Sequence, residues 1–195
     1  MSLTNGGRLF VYSSDHCPAD ADYGALVDLA GDVKIKTNSW VYLQSDGITG
    51  TSVLFRADTV LVEVGGGFNA DGGGWNGATG DGKGVGGSWG SGGGYGGKGG
   101  AGSNGAGGLP YGSALWPMLP GSGGGRSGTP GGGLIRLEVA RHVQLDGTLT
   151  ARGPNATGRQ GAGSGGAILV QCRTFEAGGT AMVDASGGGT ASENT

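Results

Sequence analysis

Carboxylates, thiols and aromatic rings are the groups in this chain able to do chemistry, and their spacing decides what kind. Asp15, Asp20, Asp22 and Asp28 surround His16-Cys17-Pro18, the densest acidic stretch. Asp20 and Asp22 offer oxygen ligands to a hard cation and form the candidate Ca²⁺ site. The stretch lacks the further acidic positions and terminal Glu of an EF-hand loop, so a solvated connection is the alternative. His16 beside Cys17 sets an imidazole next to a thiol. Adjacent residues rarely aim a base at a nucleophile, and no third group is specified to orient the pair. Cys17 and Cys172 are the only cysteines: a candidate disulfide or two buried thiols, and too few for a zinc site.

Glycan cleavage needs two carboxylates facing one another. Glu63, Glu138, Asp146, Glu176 and Asp184 fall at different phases of the repeat described below. Stacking the repeats sets Glu138 beside Gln171 and Asp146 beside Gly178, which builds no acidic pair, so the chain reads as a non-enzyme. Gly-x-Gly-x-x-Gly matches follow from composition alone, with no strand before them and no helix after. Binding is the stronger expectation. Trp40, Trp75, Trp89 and Trp116 offer planar faces on which a sugar can stack, and Trp75, Trp89, Tyr95 and Trp116 are the candidate ligand-binding residues. Asn155-Ala156-Thr157 is a candidate glycosylation sequon.

The scaffold holding these groups is unusual in composition. Gly supplies 51 of 195 residues, against about 7% in average proteins. Only 14% of residues are charged, the net charge is −3, and four Trp and five Tyr accompany the glycines. Charge-driven disorder looks different, because it combines high charge with few aromatics. Lys and Arg are scattered singly, which excludes a nucleic-acid stripe. No stretch approaches the ~20 apolar residues of a membrane span. Residues 1–10 lack the charged and apolar regions of a signal peptide, so an exported form would be a fragment or a processed product.

Short apolar runs flank a glycine block. Residues 1–72 and 132–195 carry the runs, residues 73–131 the block, and together they read as one continuous domain. Leu9-Phe10-Val11-Tyr12, Trp40-Val41-Tyr42-Leu43 and Val60-Leu61-Val62-Glu63-Val64 are typical: rich in β-branched and aromatic residues and bounded by turn formers. Residues 21–29 carry the one weak helical pattern. A unit recurs three times, beginning at Val53, Gly133 and Gly166: strand, short strand, glycine turn, then apolar-x-Ala-x-Gly. Residues 33–50 read as a degenerate fourth copy. Such a unit cannot bury its own apolar face, so the copies must stack. The expected fold is all-β: a parallel β-helix, or solenoid, with an inserted glycine-rich block. An antiparallel sandwich, with Asp46-Gly47 and Asp146-Gly147 as hairpin turns, is the alternative.

The block has a period. Positions 84, 87, 90, 93, 96, 99, 102, 105 and 108 are all Gly. A threefold spacing suits extended helices with three residues per turn, and the absence of Pro from 84–108 argues against collagen. The block therefore reads as extended helices of polyglycine-II type packed side by side, folding back at Asn104 or near Leu109-Pro110. A flexible linker is the alternative, but the bulky Trp75, Trp89, Tyr95, Tyr111 and Trp116 have no place in a spacer.

Tyr111-Gly112-Ser113, Gly121-Ser122-Gly123-Gly124-Gly125, Gly133-Leu134-Ile135-Arg136-Leu137-Glu138-Val139 and Gly163-Ser164-Gly165-Gly166 together resemble glycine-rich, pectin-lyase-like β-solenoid repeats in large surface proteins of bacteria and protists. The likeness spans roughly residues 50–190 and implies an extracellular or cell-surface location and a structural role. The expected function is a non-catalytic structural or adhesive module of a surface or fibre protein that associates with itself or with other surface proteins. A carbohydrate- or cell-surface-binding module with glycans as partners is the first alternative. A β-helix polysaccharide lyase or hydrolase is the second.

Overall fold

The computed structural model describes residues 1–103 and 105–189; the expected reversal at Asn104 lies outside them. Eleven strands follow one another, and no helix occurs among the described residues. They are β1 (Ser2–Leu3), β2 (Arg8–Tyr12), β3 (Ala25–Ile35), β4 (Trp40–Gln44), β5 (Val53–Val62), β6 (Gly67–Asn69), β7 (Leu134–Leu145), β8 (Thr148–Thr150), β9 (Ala167–Gln171), β10 (Thr174–Ala177) and β11 (Met182–Asp184). Up to β8, successive strands alternate between two sheets. The first runs β1-β3-β5-β7-β10, with β9 also on β7, and the second runs β11-β8-β6-β4-β2. Every pairing of these strands is parallel, which removes the sandwich reading.

The expected all-β parallel β-helix with polyglycine-II helices is therefore corrected. The strands form two parallel sheets that do not close into a solenoid, and the glycine block contributes no helix. Parallel pairing throughout is the habit of α/β sheets, here without their helices. The physical reason lies in the connections. Glycine has no side chain to pack on a sheet face and loses more backbone entropy when ordered in a strand, and between β6 and β7, and again between β8 and β9, the chain leaves the sheets. It bonds there to other glycine segments.

Register builds the core. Val27, Phe55, Leu137 and Val170 stand in one row across the first sheet, and Ile35, Val62, Leu145 and Ala177 in another. Leu9, Val41, Phe68, Leu149 and Val183 form the matching row of the second sheet. The three copies of the repeat thus lie one above another, and Glu138 pairs with Gln171 as the repeat alignment requires. Phe55 and Phe68 meet edge to face across the two sheets, with centroids 5.4 Å apart and both rings fully buried. One apolar cluster draws on residues from Val33 to Ala151, spanning both sides of the glycine block.

Two strands are longer than their apolar runs suggest. Residues 25–29, part of the weak helical pattern, are the first half of β3. Their alternation of half-buried Ala25, Val27 and Leu29 with exposed Leu26 and Asp28 is a strand's period. The register shifts between Leu29 and Asp32, where Gly31 takes φ 144°, and again between Ala57 and Thr59. Each long strand thereby bends once and continues.

Truncating Phe68 to Ala should lower stability by about 3–5 kcal/mol, the cost of a large buried aromatic lost from a packed core. Phe10, stacked on Tyr42 but 52% exposed, should cost well under half of that when truncated. Urea unfolding of the two variants checks the contrast.

Candidate functional site

The groups able to contact a ligand gather on the outer face of the first sheet. Parallel register carries Asp28 of β3, Arg56 of β5, Glu138 of β7 and Gln171 of β9 into a single row. Their neighbours in sequence, Val27, Phe55, Leu137 and Val170, face the core, so the row must face outward. Beside it, at the bends of the long strands, lie Asp58, Cys172 and Arg173. The glycine block brings Trp116 beside this row, and a groove of about 680 Å³ results.

Charges in the row are organised by one buried cation. Arg136 is 6% exposed and donates to Glu138 Oε1 at 2.7 Å and to Asp22 Oδ1 at 2.8 Å. Arg56 Nε donates to Glu138 Oε2 at 2.8 Å. Burial alone would raise the Glu138 pKa, but the hydrogen bonds from Arg56 and Arg136 prevail and hold it below the ordinary value of 4.5. At the bend, Arg141 reaches Asp32 at 3.4 Å and Asp58 at 3.7 Å. Burial pushes the Cys172 thiol up, away from the thiolate a nucleophile needs.

The residues singled out in the sequence go to different places. Trp116 is 49% exposed on the groove. Trp89 is 37% exposed and lies elsewhere, in a shallow depression of the glycine block, with the Arg159 guanidinium 5.4 Å from its ring centroid. Trp75 is a wedge, not a platform: side chains at Gly50 or Gly80 would run into its ring. Tyr95 packs edge-on against Tyr111 at 4.9 Å, and burial raises its pKa to about 12. The ring lines a cavity of about 980 Å³ with many glycines in its wall. Trp40 is half-buried and would be met by any side chain at Gly67.

Asp22 is engaged by Arg136, while Asp20 occupies a turn at φ 65°. Among the described residues no three His, Cys, Asp or Glu side chains converge to hold a metal ion. Cys17 is exposed, Cys172 half-buried, and neither is bonded to the other. His16 pairs with Asp15 at 2.5 Å, and His142 with Thr174 at 2.9 Å. Asn155 is exposed, its side-chain oxygen accepting from the Gly189 amide at 2.8 Å. Among the described residues no helix is long and apolar enough to cross a membrane.

The row through Arg56 and Glu138 is the part of the site that residue-by-residue reading missed. Its signal was the repeat itself. Aligning Phe55 with Leu137 places Arg56 opposite Glu138, a cross-strand pair of opposite charge. No family model, curated protein or solved structure matches this chain.

Removing the Glu138 carboxylate leaves Arg136 buried with only Asp22 as counter-ion, so Glu138→Ala should cost up to about 3 kcal/mol. A carboxylate whose pKa is depressed by folding stabilises above its unfolded pKa, and that contribution fades as pH falls through the folded value. Stability of the parent should therefore decline below about pH 4.5, with less decline in Glu138→Gln. Denaturant midpoints between pH 3 and pH 7 read both effects.

Proposed function

We propose that the chain is a non-catalytic structural and adhesive module of an extracellular or cell-surface protein or fibre, and that it associates with further copies of itself. The observation that carries this reading is the glycine lattice. Gly90, Gly93, Gly125 and Gly132 donate their amides to the carbonyls of Arg159, Ala162, Ser91 and Ser164 at 2.8–2.9 Å. Gly99 donates to Gly108, and Gly108 to Gly92. The block is thus a hydrogen-bonded body laid against residues 159–166, and the flexible-linker alternative does not describe it. A methyl group at Gly108, Gly125, Gly161 or Gly163 would coincide with a carbonyl oxygen of the neighbouring segment. So close a main-chain approach suits a rod or spacer that resists proteases.

Self-association rests on the sheet edges. β2 ends the second sheet on one side and β11 on the other, so each sheet offers unpaired backbone at both ends of the stack. Phe10 and Tyr12 at one end, and Phe175, Met182 and Val183 at the other, are all at least 45% exposed. Because the strands run parallel, a second copy placed by translation continues the row, setting its Leu9 over Val183. Contacts of that head-to-tail kind grow into open chains.

Gly125→Ala and Gly163→Ala should sharply increase cleavage by a non-specific protease, whereas Gly96→Ala and Gly97→Ala, which have open space around them, should leave it unchanged. Equal behaviour of all four would remove the lattice argument. Sedimentation velocity over a concentration series checks association. The parent should form larger species as concentration rises, and Phe175→Lys combined with Val183→Lys should suppress them; a monomer at every concentration would contradict the end-to-end reading.

A further inference from the structure

We propose that the groove beneath Trp116 is a binding site for a neutral, hydroxyl-rich ring, the repeating residue of an uncharged glycan. This goes beyond the scaffold role, which would stand without it. At about 680 Å³ the groove falls in the range of small-ligand sites. Its two surfaces differ in chemistry. One is the indole of Trp116, an apolar plane left 49% exposed on a segment that is itself held in place. The Trp116 amide donates to Ser113 Oγ at 3.1 Å, and the Tyr111 hydroxyl donates to the Pro120 carbonyl, so both ends of the segment are tied. The other surface is the outward row of the first sheet, polar groups one strand apart, at ~4.8 Å steps.

Composition of that row selects the ligand. Asp28 and Asp58 offer acceptors, Gln171 offers both a donor and an acceptor, and Arg56 and Arg173 offer donors. Alternating donors and acceptors suit hydroxyl groups, each of which gives and takes one hydrogen bond. A phosphate or uronate needs uncompensated cations. Here Arg56 is paired with Glu138, and the three carboxylates of the lining, Asp28, Asp58 and Glu138, outnumber the two cations, Arg56 and Arg173, so an anion would be repelled. An apolar ligand would leave the row's polar groups desolvated without partners. A pyranose satisfies both walls, with its C–H face on the indole and its hydroxyl rim toward the row.

The full chain should be screened on a printed array of neutral, amino and acidic glycans, then titrated calorimetrically with cellohexaose and chitohexaose. We expect neutral glycans to be retained and at least one hexasaccharide to bind. Trp116→Ala should weaken that binding by about tenfold or more, the size expected for a lost stacking contact. Asp28→Asn should weaken it less, and Trp89→Ala should leave it unchanged. Trp116 is exposed, so thermal unfolding of Trp116→Ala should match the parent, which separates lost binding from lost fold. Retention of acidic glycans alone, no binding of any neutral glycan, or undiminished binding by Trp116→Ala would each overturn the proposal.

Discussion

Direct main-chain contact without intervening side chains is the constraint on which the rest of this structure depends. Ordinary cores separate neighbouring backbones by a layer of side chains. Along the glycine segments of residues 73–103 and 105–133, and again in 159–166, that layer is missing, and amides of one segment reach carbonyls of the next at hydrogen-bond distance. This solves a problem that glycine-rich sequence creates. Each glycine loses much backbone entropy on ordering and buries no apolar area in return. Its polar groups must therefore all find partners, and a lattice of neighbouring segments supplies them. A single methyl group in the wrong place forces segments apart along their length, so tolerance to substitution is all-or-none from one glycine to the next.

A lattice of this kind needs fixed borders, and the few bulky residues provide them. Trp75 fills the space left by Gly50, which takes φ 75°, and by Gly80, locking the start of the block against the turn before β5. That turn is itself closed by Asp46, whose carboxylate accepts the Ile48 and Thr49 amides at 2.9 and 2.7 Å and is held below its ordinary pKa by those bonds. Inside the block, Tyr111 receives a hydrogen bond from Ser122 at 2.9 Å, and Ser122 accepts the Gly82 amide at the same distance. Asp71 fixes the exit from β6 by accepting from the Thr150 hydroxyl at 2.6 Å and from Arg152. The Asp46 and Asp71 clamps occur where the chain passes between sheet and lattice, and the Tyr111–Ser122 clamp ties segments within the lattice.

The legible part of the fold was the part encoded by side chains. The threefold repeat showed which strands lie over one another, because Phe55, Leu137 and Val170 occupy equivalent places in the three copies and then meet in register. What period alone could not show was the conformation of glycine. Nine glycines in phase from 84 to 108 suggested regular helices, yet their amides find partners on segments at different separations, Gly90 on Arg159 and Gly99 on Gly108. Phase constrains where a side chain is absent, not which neighbour comes to fill the gap. The first half of β3 escaped for a related reason: in residues 25–29 the apolar Leu26 stands between the inward Ala25 and Val27, which blurs the strand alternation into a weak helical pattern. Of the candidate site, Trp116 was visible as an exposed aromatic. The charged row beneath it appears only when the repeat alignment is carried to the outward positions, where Arg56 faces Glu138.

Division of labour between the two kinds of packing explains where a ligand can and cannot bind. The lattice presents mainly carbonyls and amides already paired with one another, so its large cavity near Tyr95 offers few free groups. The first sheet behaves differently. Its inward residues fill the core, whereas the outward row through Asp28, Arg56, Glu138 and Gln171 stays clear of it, and parallel register repeats a chosen position at every strand. A change at one outward site, Asp28 or Gln171, alters the surface without disturbing the ladder behind it. Next to that row the same face is buried at Leu54, Leu134 and Arg136, and from there Arg136 pairs with Glu138 and Asp22. The core is thus separated from the groove by one pleat of the sheet, and the Arg136–Glu138 pair ties the two together.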